Sequence, residues 1–178
     1  MAEYIAFDDQ VEVVGRSALF FFSAIGNGIQ PFIEKHHLTN IDPQGWYPLQ
    51  AFLDIYREIA QIPGGMFDLV SIGMRIPEEA IFPPDIDSIE SALMSIDTAY
   101  HMNHRGGDIG YYQATLVQPR HFVIECRNPY PSDLDYGLIY GLVRRFRPPK
   151  TNFTVWRDEN LPSRKNGAES CTFHVTWE

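Results

Sequence analysis

Cys126-Arg127-Asn128-Pro129-Tyr130-Pro131-Ser132-Asp133-Leu134-Asp135-Tyr136-Gly137-Leu138-Ile139-Tyr140-Gly141-Leu142 is the stretch on which the reading of the fold turns. A strand closes on a cysteine, two prolines mark a turn, and a helix opens with glycines at 137 and 141. Ser132 with Asp135 three residues on resembles a capping box, in which side chain and backbone satisfy the first free N–H groups of a helix. Leu134, Leu138, Gly141 and Leu142 form its buried stripe, and Pro148-Pro149 prevents continuation because proline lacks the N–H a helix needs. Further on, Ser170-Cys171-Thr172-Phe173-His174-Val175-Thr176-Trp177 reads as a strand with Cys171, Phe173, Val175 and Trp177 on one face and Thr172, His174 and Thr176 on the other.

Outward from these segments, residues 109–118 read as a strand, Pro119-Arg120 as a turn, and residues 121–126 as its hairpin partner with Phe122, Ile124 and Cys126 on one face. Residues 152–157 read as a further strand, joined to the last by a polar loop containing Asn166-Gly167. Upstream the pattern is helical. Residues 3–14 alternate imperfectly, as a short strand or extended arm would. From Ser17 a dense apolar run predicts helix, interrupted by Gly26-Asn27-Gly28 and Pro31 and ending near His37. Trp46, Leu49, Phe52, Leu53, Tyr56, Ile59 and Ala60 hold amphipathic spacing, and that helix stops before Pro63-Gly64-Gly65. Phe67, Val70 and Met74 predict a shorter helix closed by Pro77. After the break at Pro83-Pro84-Asp85, Asp87 or Ser88 caps a helix bearing Ile89, Leu93, Ile96 and Tyr100, ended by Gly106-Gly107.

The expected fold class is α+β: N-terminal helices packed on a roughly four-stranded antiparallel sheet, in the order helices–hairpin–helix–hairpin. A chain of 178 residues with 44% hydrophobic and 13% aromatic content is expected to form a single domain over 1–178, helical over about 16–105 and sheet with capped helix over about 109–178. The net charge of −9 is uneven: residues 1–100 hold 4 basic against 15 acidic side chains, residues 101–178 hold 10 against 8. An acidic chain repels phosphate, so nucleic acid is not an expected partner. The basic cluster Arg144, Arg145, Arg147, Lys150 sits where cations complement a helix C-terminus. No apolar run approaches the roughly 20 residues of a membrane span. Two cysteines without a secretory signal predict a reducing, cytoplasmic setting.

A strand hairpin, a helix with small residues, and a second hairpin ending in Cys-x-Phe-x-Val together resemble the small-molecule-binding domain named after 4-vinyl reductase. Its wider fold is shared with haem nitric-oxide-binding sensors and with small subunits of Golgi trafficking particles. The resemblance covers about residues 100–178 in motif and the earlier helices in order and length. Family members often read Cys-Asp-(Phe/Tyr)-x-x-Gly at the helix start; Ser132-Asp133-Leu134-Asp135-Tyr136-Gly137 stands there, and the nearest cysteine is Cys126. The Tyr-x-Ser-x-Arg pattern that grips porphyrin carboxylates in the haem-binding branch does not occur in the chain. The resemblance implies a sensor or scaffold domain with a hydrophobic pocket between helices and sheet.

Residues 100–105, Tyr100-His101-Met102-Asn103-His104-Arg105, carry the densest chemistry. On a helix His101 and His104 share a face and suit one metal ion or a planar ligand, with a third ligand from His121, Cys126 or His174. Histidines at a helix C-terminus, favoured by its dipole, explain the same pattern. An axial histidine among His101, His104 and His121, with Arg105 or Arg120 for propionates, would serve haem or another tetrapyrrole. The metal itself is not identified by the sequence. No Gly-x-Ser-x-Gly elbow or phosphate loop is present: Gly26 and Gly28 are followed by Pro31. Cys126 and Cys171 fall on apolar strand faces, where cysteine behaves as a small hydrophobe. Asp133 and Asp135 suit a helix N-terminus, and no catalytic residue is expected.

These readings converge on a non-catalytic, sensor-like domain that binds a small hydrophobic or aromatic molecule, with Tyr100, His101, His104, Arg105, His121, Tyr136 and Tyr140 as its lining. Abundant aromatic residues suit such a pocket and suit a homodimer interface, while a plain core accounts for most of them; a homodimer is expected. A homodimeric scaffold of the trafficking-subunit type and a tetrapyrrole-modifying reductase are the alternatives.

Overall fold

A computed structural model describes residues 3–62, 69–79 and 86–178. Pro63-Gly64-Gly65, Phe67 and Pro83-Pro84-Asp85, read above as breaks and as a helix position, lie outside the described residues. The architecture is α+β, with a four-stranded antiparallel sheet, a small three-stranded one, and helices packed between and against them.

Strands β1 (Glu12–Val14), β2 (Trp46–Pro48) and β3 (His104–Arg105) form the small sheet in the order β2-β1-β3. Helices α1 (Gly15–Ile25) and α2 (Gln30–Lys35) follow β1, separated by a turn of 3-10 helix at Gly26–Ile29. Pro31 is tolerated because it falls in the first turn of α2, where its missing N–H has no intrahelical partner to lose. Helix α3 (Leu49–Ala60) begins after Pro48 rather than at Trp46, since residues 46–48 pair with β1. It buries Leu49, Phe52, Leu53, Ile55, Tyr56 and Ile59. Each such large apolar side chain contributes roughly 1.5–3 kcal/mol on full burial.

Helix α4 (Leu69–Glu79) runs through Pro77, the residue expected to close it. The ring removes one backbone hydrogen bond close to the C-terminus, and packing against α6 (Ser132–Phe146) holds the last turn in place. The two helices touch at glycine. A Cβ on Gly137 would stand 2.1 Å from the Val70 carbonyl oxygen, and one on Gly73 would stand 2.3 Å from that of Leu134. Only hydrogen fits at either position.

Helix α5 (Ile89–Asn103) opens on a true capping box. The Ser88 hydroxyl accepts from the Ser91 N–H, and the Ser91 hydroxyl accepts from the Ser88 N–H. The helix ends at Asn103, three residues short of Gly106, because His104 turns extended (φ −132°, ψ 153°) and joins β3 against β1. At α6 the expected box is absent. Pro131 occupies the cap position, the Ser132 N–H donates to the Glu3 carboxylate (2.8 Å), and Asp135 turns inward.

The large sheet has the order β4-β5-β7-β6, with β4 (Tyr111–Gln118), β5 (His121–Arg127), β6 (Phe153–Arg157) and β7 (Cys171–Trp177). Both hairpins read from the sequence are present. Tyr112, Phe122, Ile124, Cys126, Phe173 and Val175 are buried on the face that meets α5 and α6. Cys126 and Cys171 stand directly opposite in register and are free thiols. No described helix is long and apolar enough to cross a membrane.

Candidate functional site

Helices α1, α3, α4, α5 and α6 line a partly open cavity of about 120 Å³ whose floor is the edge of the large sheet. Its wall is apolar where Phe20 and Phe21 of α1, Phe52 of α3, and Ile72 and Ile76 of α4 meet. The polar side is built by Tyr100, Asn103, His104, Tyr112, Tyr130 and Asp135. Most of these donors and acceptors already serve one another.

His104 is the centre of that side. Its Nδ1 lies 2.9 Å from the Tyr100 carbonyl oxygen and its Nε2 lies 2.6 Å from the Tyr130 hydroxyl. A carbonyl only accepts, so Nδ1 carries the proton and Nε2 presents a lone pair to which Tyr130 donates. Burial lowers the imidazole to about 4, so the ring is neutral at neutral pH. The Tyr100 ring packs on it at 4.2 Å, and Tyr130 meets Tyr56 edge-on at 5.8 Å. Burial raises the Tyr100, Tyr112 and Tyr130 phenols, which keeps all three protonated as donors. Below them Asn103 donates to the Ala99 carbonyl (2.7 Å) and accepts from the Ser17 hydroxyl (3.1 Å).

A second polar cluster braces the floor. Asp135 accepts from the Tyr112 hydroxyl (2.6 Å) and the Asn128 amide (3.3 Å), and it pairs with the guanidinium of Arg164. Arg164 is fully buried and also donates to the carbonyls of Cys126 and Asn128, each at 2.9 Å. Burial alone would lower the guanidinium; the charge and hydrogen bond of Asp135, together with the nearby sulfurs of Cys171 and Cys126, raise it. One donor at the cavity wall has no partner among the described residues, the buried Nε of Arg16.

Of the residues read as lining, Tyr100 and His104 face the cavity and touch each other. His101 does not share their face: it is exposed beside Asp97, because the helix ends before His104 and the two imidazoles diverge. Arg105 pairs with Glu12 (2.7 Å) and lies over the Trp46 ring at 4.4 Å. Tyr136 and Tyr140 pack on Phe173 and Phe153, between α6 and the sheet, away from the cavity lining. His121 lies on the opposite face of the sheet, next to His174. Among the described residues no group of three or more histidine, cysteine or acidic side chains is arranged to hold a metal, so neither His121, Cys126 nor His174 completes a site with His101 and His104.

Sequence reading missed Arg16, Tyr130, Asp135 in its inward role, and Arg164. A signal existed for one of them. Tyr130-Pro131-Ser132-Asp133-Leu134 keeps the tyrosine and serine of a Tyr-x-Ser-x-Arg pattern and puts leucine where arginine would be. Leu134 lines the cavity, and the only guanidinium on the wall comes from Arg16, among the described residues.

No family model matches this chain, and no curated protein matches it. Among solved structures it is similar to an H-NOX protein from S. oneidensis in the Fe(II)NO ligation state, at 14% identity over 93% of this chain and 99% of that one, with a TM-score of 0.64. It is similar also to an oxygen-binding H-NOX domain related to soluble guanylate cyclases, at 14% identity over 92% and 94% of the two chains and a TM-score of 0.63. An H-NOX domain from Shewanella oneidensis in the Fe(II)CO ligation state shares 12% identity over 89% and 97%, with a TM-score of 0.59. The likeness is one of fold, and it extends beyond residues 100–178 to nearly the whole chain.

Proposed function

We propose that this chain is a non-catalytic, sensor-like binding domain for a flat hydrophobic ring system, with haem or a related tetrapyrrole as the ligand that its polar wall fits. The observation that carries this reading is His104: a buried, neutral imidazole whose Nδ1–H is tied to a carbonyl and whose Nε2 lone pair stands at the cavity. Histidines that ligate metals characteristically hand their other N–H to a carbonyl or carboxylate, which sets the tautomer. Arg16 supports the same reading, because its buried, unpartnered Nε suits a carboxylate such as a propionate.

The donor set therefore fits a haem, and the volume sets a condition on it. About 120 Å³ is close to the roughly 150 Å³ cavity that holds a single benzene ring. A tetrapyrrole enters only if the helical wall of Phe20, Phe21 and Phe52 opens and Tyr130 releases Nε2. A bound haem iron would supply a position for a diatomic gas, as nitric oxide, carbon monoxide and oxygen are bound by the solved neighbours. The residues of this chain would orient the iron's imidazole, neutralise a carboxylate and exclude water. The same volume favours one other ligand class, a single-ring aromatic acid placed against Arg16 without any opening.

Adding hemin to the purified protein and recording the absorption spectrum from 250 to 700 nm tests the reading. A sharp Soret band that is lost in His104→Ala and kept in His101→Ala supports it. Unshifted hemin in the wild type rules out the tetrapyrrole. A native mass spectrum of the same sample reads ligand load and subunit number together, and so tests the homodimer.

A further inference from the structure

The face of the large sheet turned away from the helices carries a cluster that the cavity does not use. The register sets His121 opposite Thr176 and Val123 opposite His174, which makes the two histidines diagonal neighbours on adjacent strands. Nε2 of His121 and Nδ1 of His174 are 3.0 Å apart. The other nitrogen of His174 lies 3.2 Å from Oδ2 of Asp158. A carboxylate only accepts, so Nε2 of a neutral His174 carries the proton and its Nδ1 turns a lone pair toward His121. The Trp156 indole stacks on His174 at 4.9 Å and 8°, fixing the plane of that ring.

We propose that His121 and His174 form a two-histidine site for a borderline transition-metal ion, Cu(II) first among them, with Asp158 as the carboxylate that orients His174. Three observations carry it. The Asp158–His174 pair is the carboxylate–histidine arrangement found behind metal-ligating imidazoles. At imidazole bond lengths of about 2.0–2.1 Å, nitrogens 3.0 Å apart subtend roughly 95° at a shared ion. That angle is the cis angle of a tetragonal site, which Cu(II) and Ni(II) favour, and is narrower than the tetrahedral angle of zinc. Finally, the His174 and Asp158 side chains keep 18% and 22% of their exposure, so water reaches the remaining coordination positions. With no third protein ligand among the described residues, water completes the shell. The competing arrangement is a plain N–H···N hydrogen bond from His121 to His174.

Titrating the full chain with Cu(II) in a non-coordinating buffer decides between them, with Trp156 as the reporter. Binding of one equivalent should quench Trp156 emission, and the electron paramagnetic resonance spectrum should show hyperfine splitting from two nitrogens. The double variant His121→Gln/His174→Gln should bind at least tenfold more weakly. Asp158→Asn should weaken binding by 10- to 100-fold, the range for losing an outer-shell carboxylate. Trp156→Phe should lose the quench, which assigns the emission change to the indole stacked on His174. Equal affinity in wild type and double variant, or a wild-type spectrum without two-nitrogen coupling, overturns the site. The spectrum is read on the unmodified chain, so the test does not depend on the variants folding, and no step in it uses the cavity.

Discussion

Nε2 of His104 and the hydroxyl of Tyr130 lie 2.6 Å apart across the polar side of the cavity, so the nitrogen suited to hold a ligand is already occupied by a phenol. The contact joins the end of α5 to the turn before α6. Any ligand that takes the imidazole lone pair must displace the phenol.

Removing that phenol separates stability from binding. Tyr130→Phe leaves the buried Nε2 without a donor and should cost about 1–3 kcal/mol in unfolding free energy. The same change removes the competitor for the lone pair. Urea unfolding should therefore show a less stable protein, while hemin titration shows binding at least as tight as in the wild type. Weaker hemin binding would place Tyr130 among the ligand's own partners.

His104 also gives the fold an acid limit. Burial lowers its folded-state value to about 4, against about 6.5 in an unfolded chain. Above pH 6.5 both states are neutral and the group's full contribution is present. Below it the unfolded chain takes up a proton that the folded chain refuses until about pH 4. Stability should then fall by about 1.4 kcal/mol per pH unit, on the order of 3 kcal/mol across the window. Urea midpoints at pH 7 and pH 4.5 should differ more for wild type than for His104→Gln.

The buried pair of Arg164 and Asp135 should break asymmetrically. Arg164→Met alone strands a buried carboxylate and should cost about 3–5 kcal/mol. Arg164→Met with Asp135→Leu removes both charges and should cost less than the two single changes together. Chemical denaturation of the four proteins gives the coupling. The orphaned Tyr112 hydroxyl and Asn128 amide set what remains of the loss.

Arg16 offers a test of ligand charge. An aromatic carboxylate should raise the melting temperature more than its neutral amide, and Arg16→Gln should remove that difference. Scanning calorimetry with benzoate and benzamide at equal concentration reads it. Equal shifts from the two compounds in the wild type would take Arg16 out of the site.

The hairpins of the large sheet and the helix between them were legible because they rest on local rules. Alternation along residues 171–177 sorts faces by itself, and glycine at 137 signals that something comes close. Of the small sheet only β1 falls in a stretch whose alternation suggests a short strand or arm; its pairing was not legible, since β1, β2 and β3 span two or three residues each and are drawn from parts of the chain far apart. A pair of residues has no detectable period. Helical spacing puts His101 and His104 on one face because it says nothing about pairing with β1, which ends the helix between them.

By itself, then, the sequence determined the fold class, the order of elements and the buried face of each long strand, because these follow from periodicity and from where proline and glycine stop it. The cavity was decided only by tertiary structure. Arg16, His104 and the neighbours Tyr130 and Asp135 come from three parts of the chain far apart in sequence, and what each side chain does depends on burial and on partners the chain order does not reveal. Asp135 shows this most directly. Helix spacing made it a cap, while a buried guanidinium from residue 164, which needs a carboxylate beside it, turned it into the floor of the site.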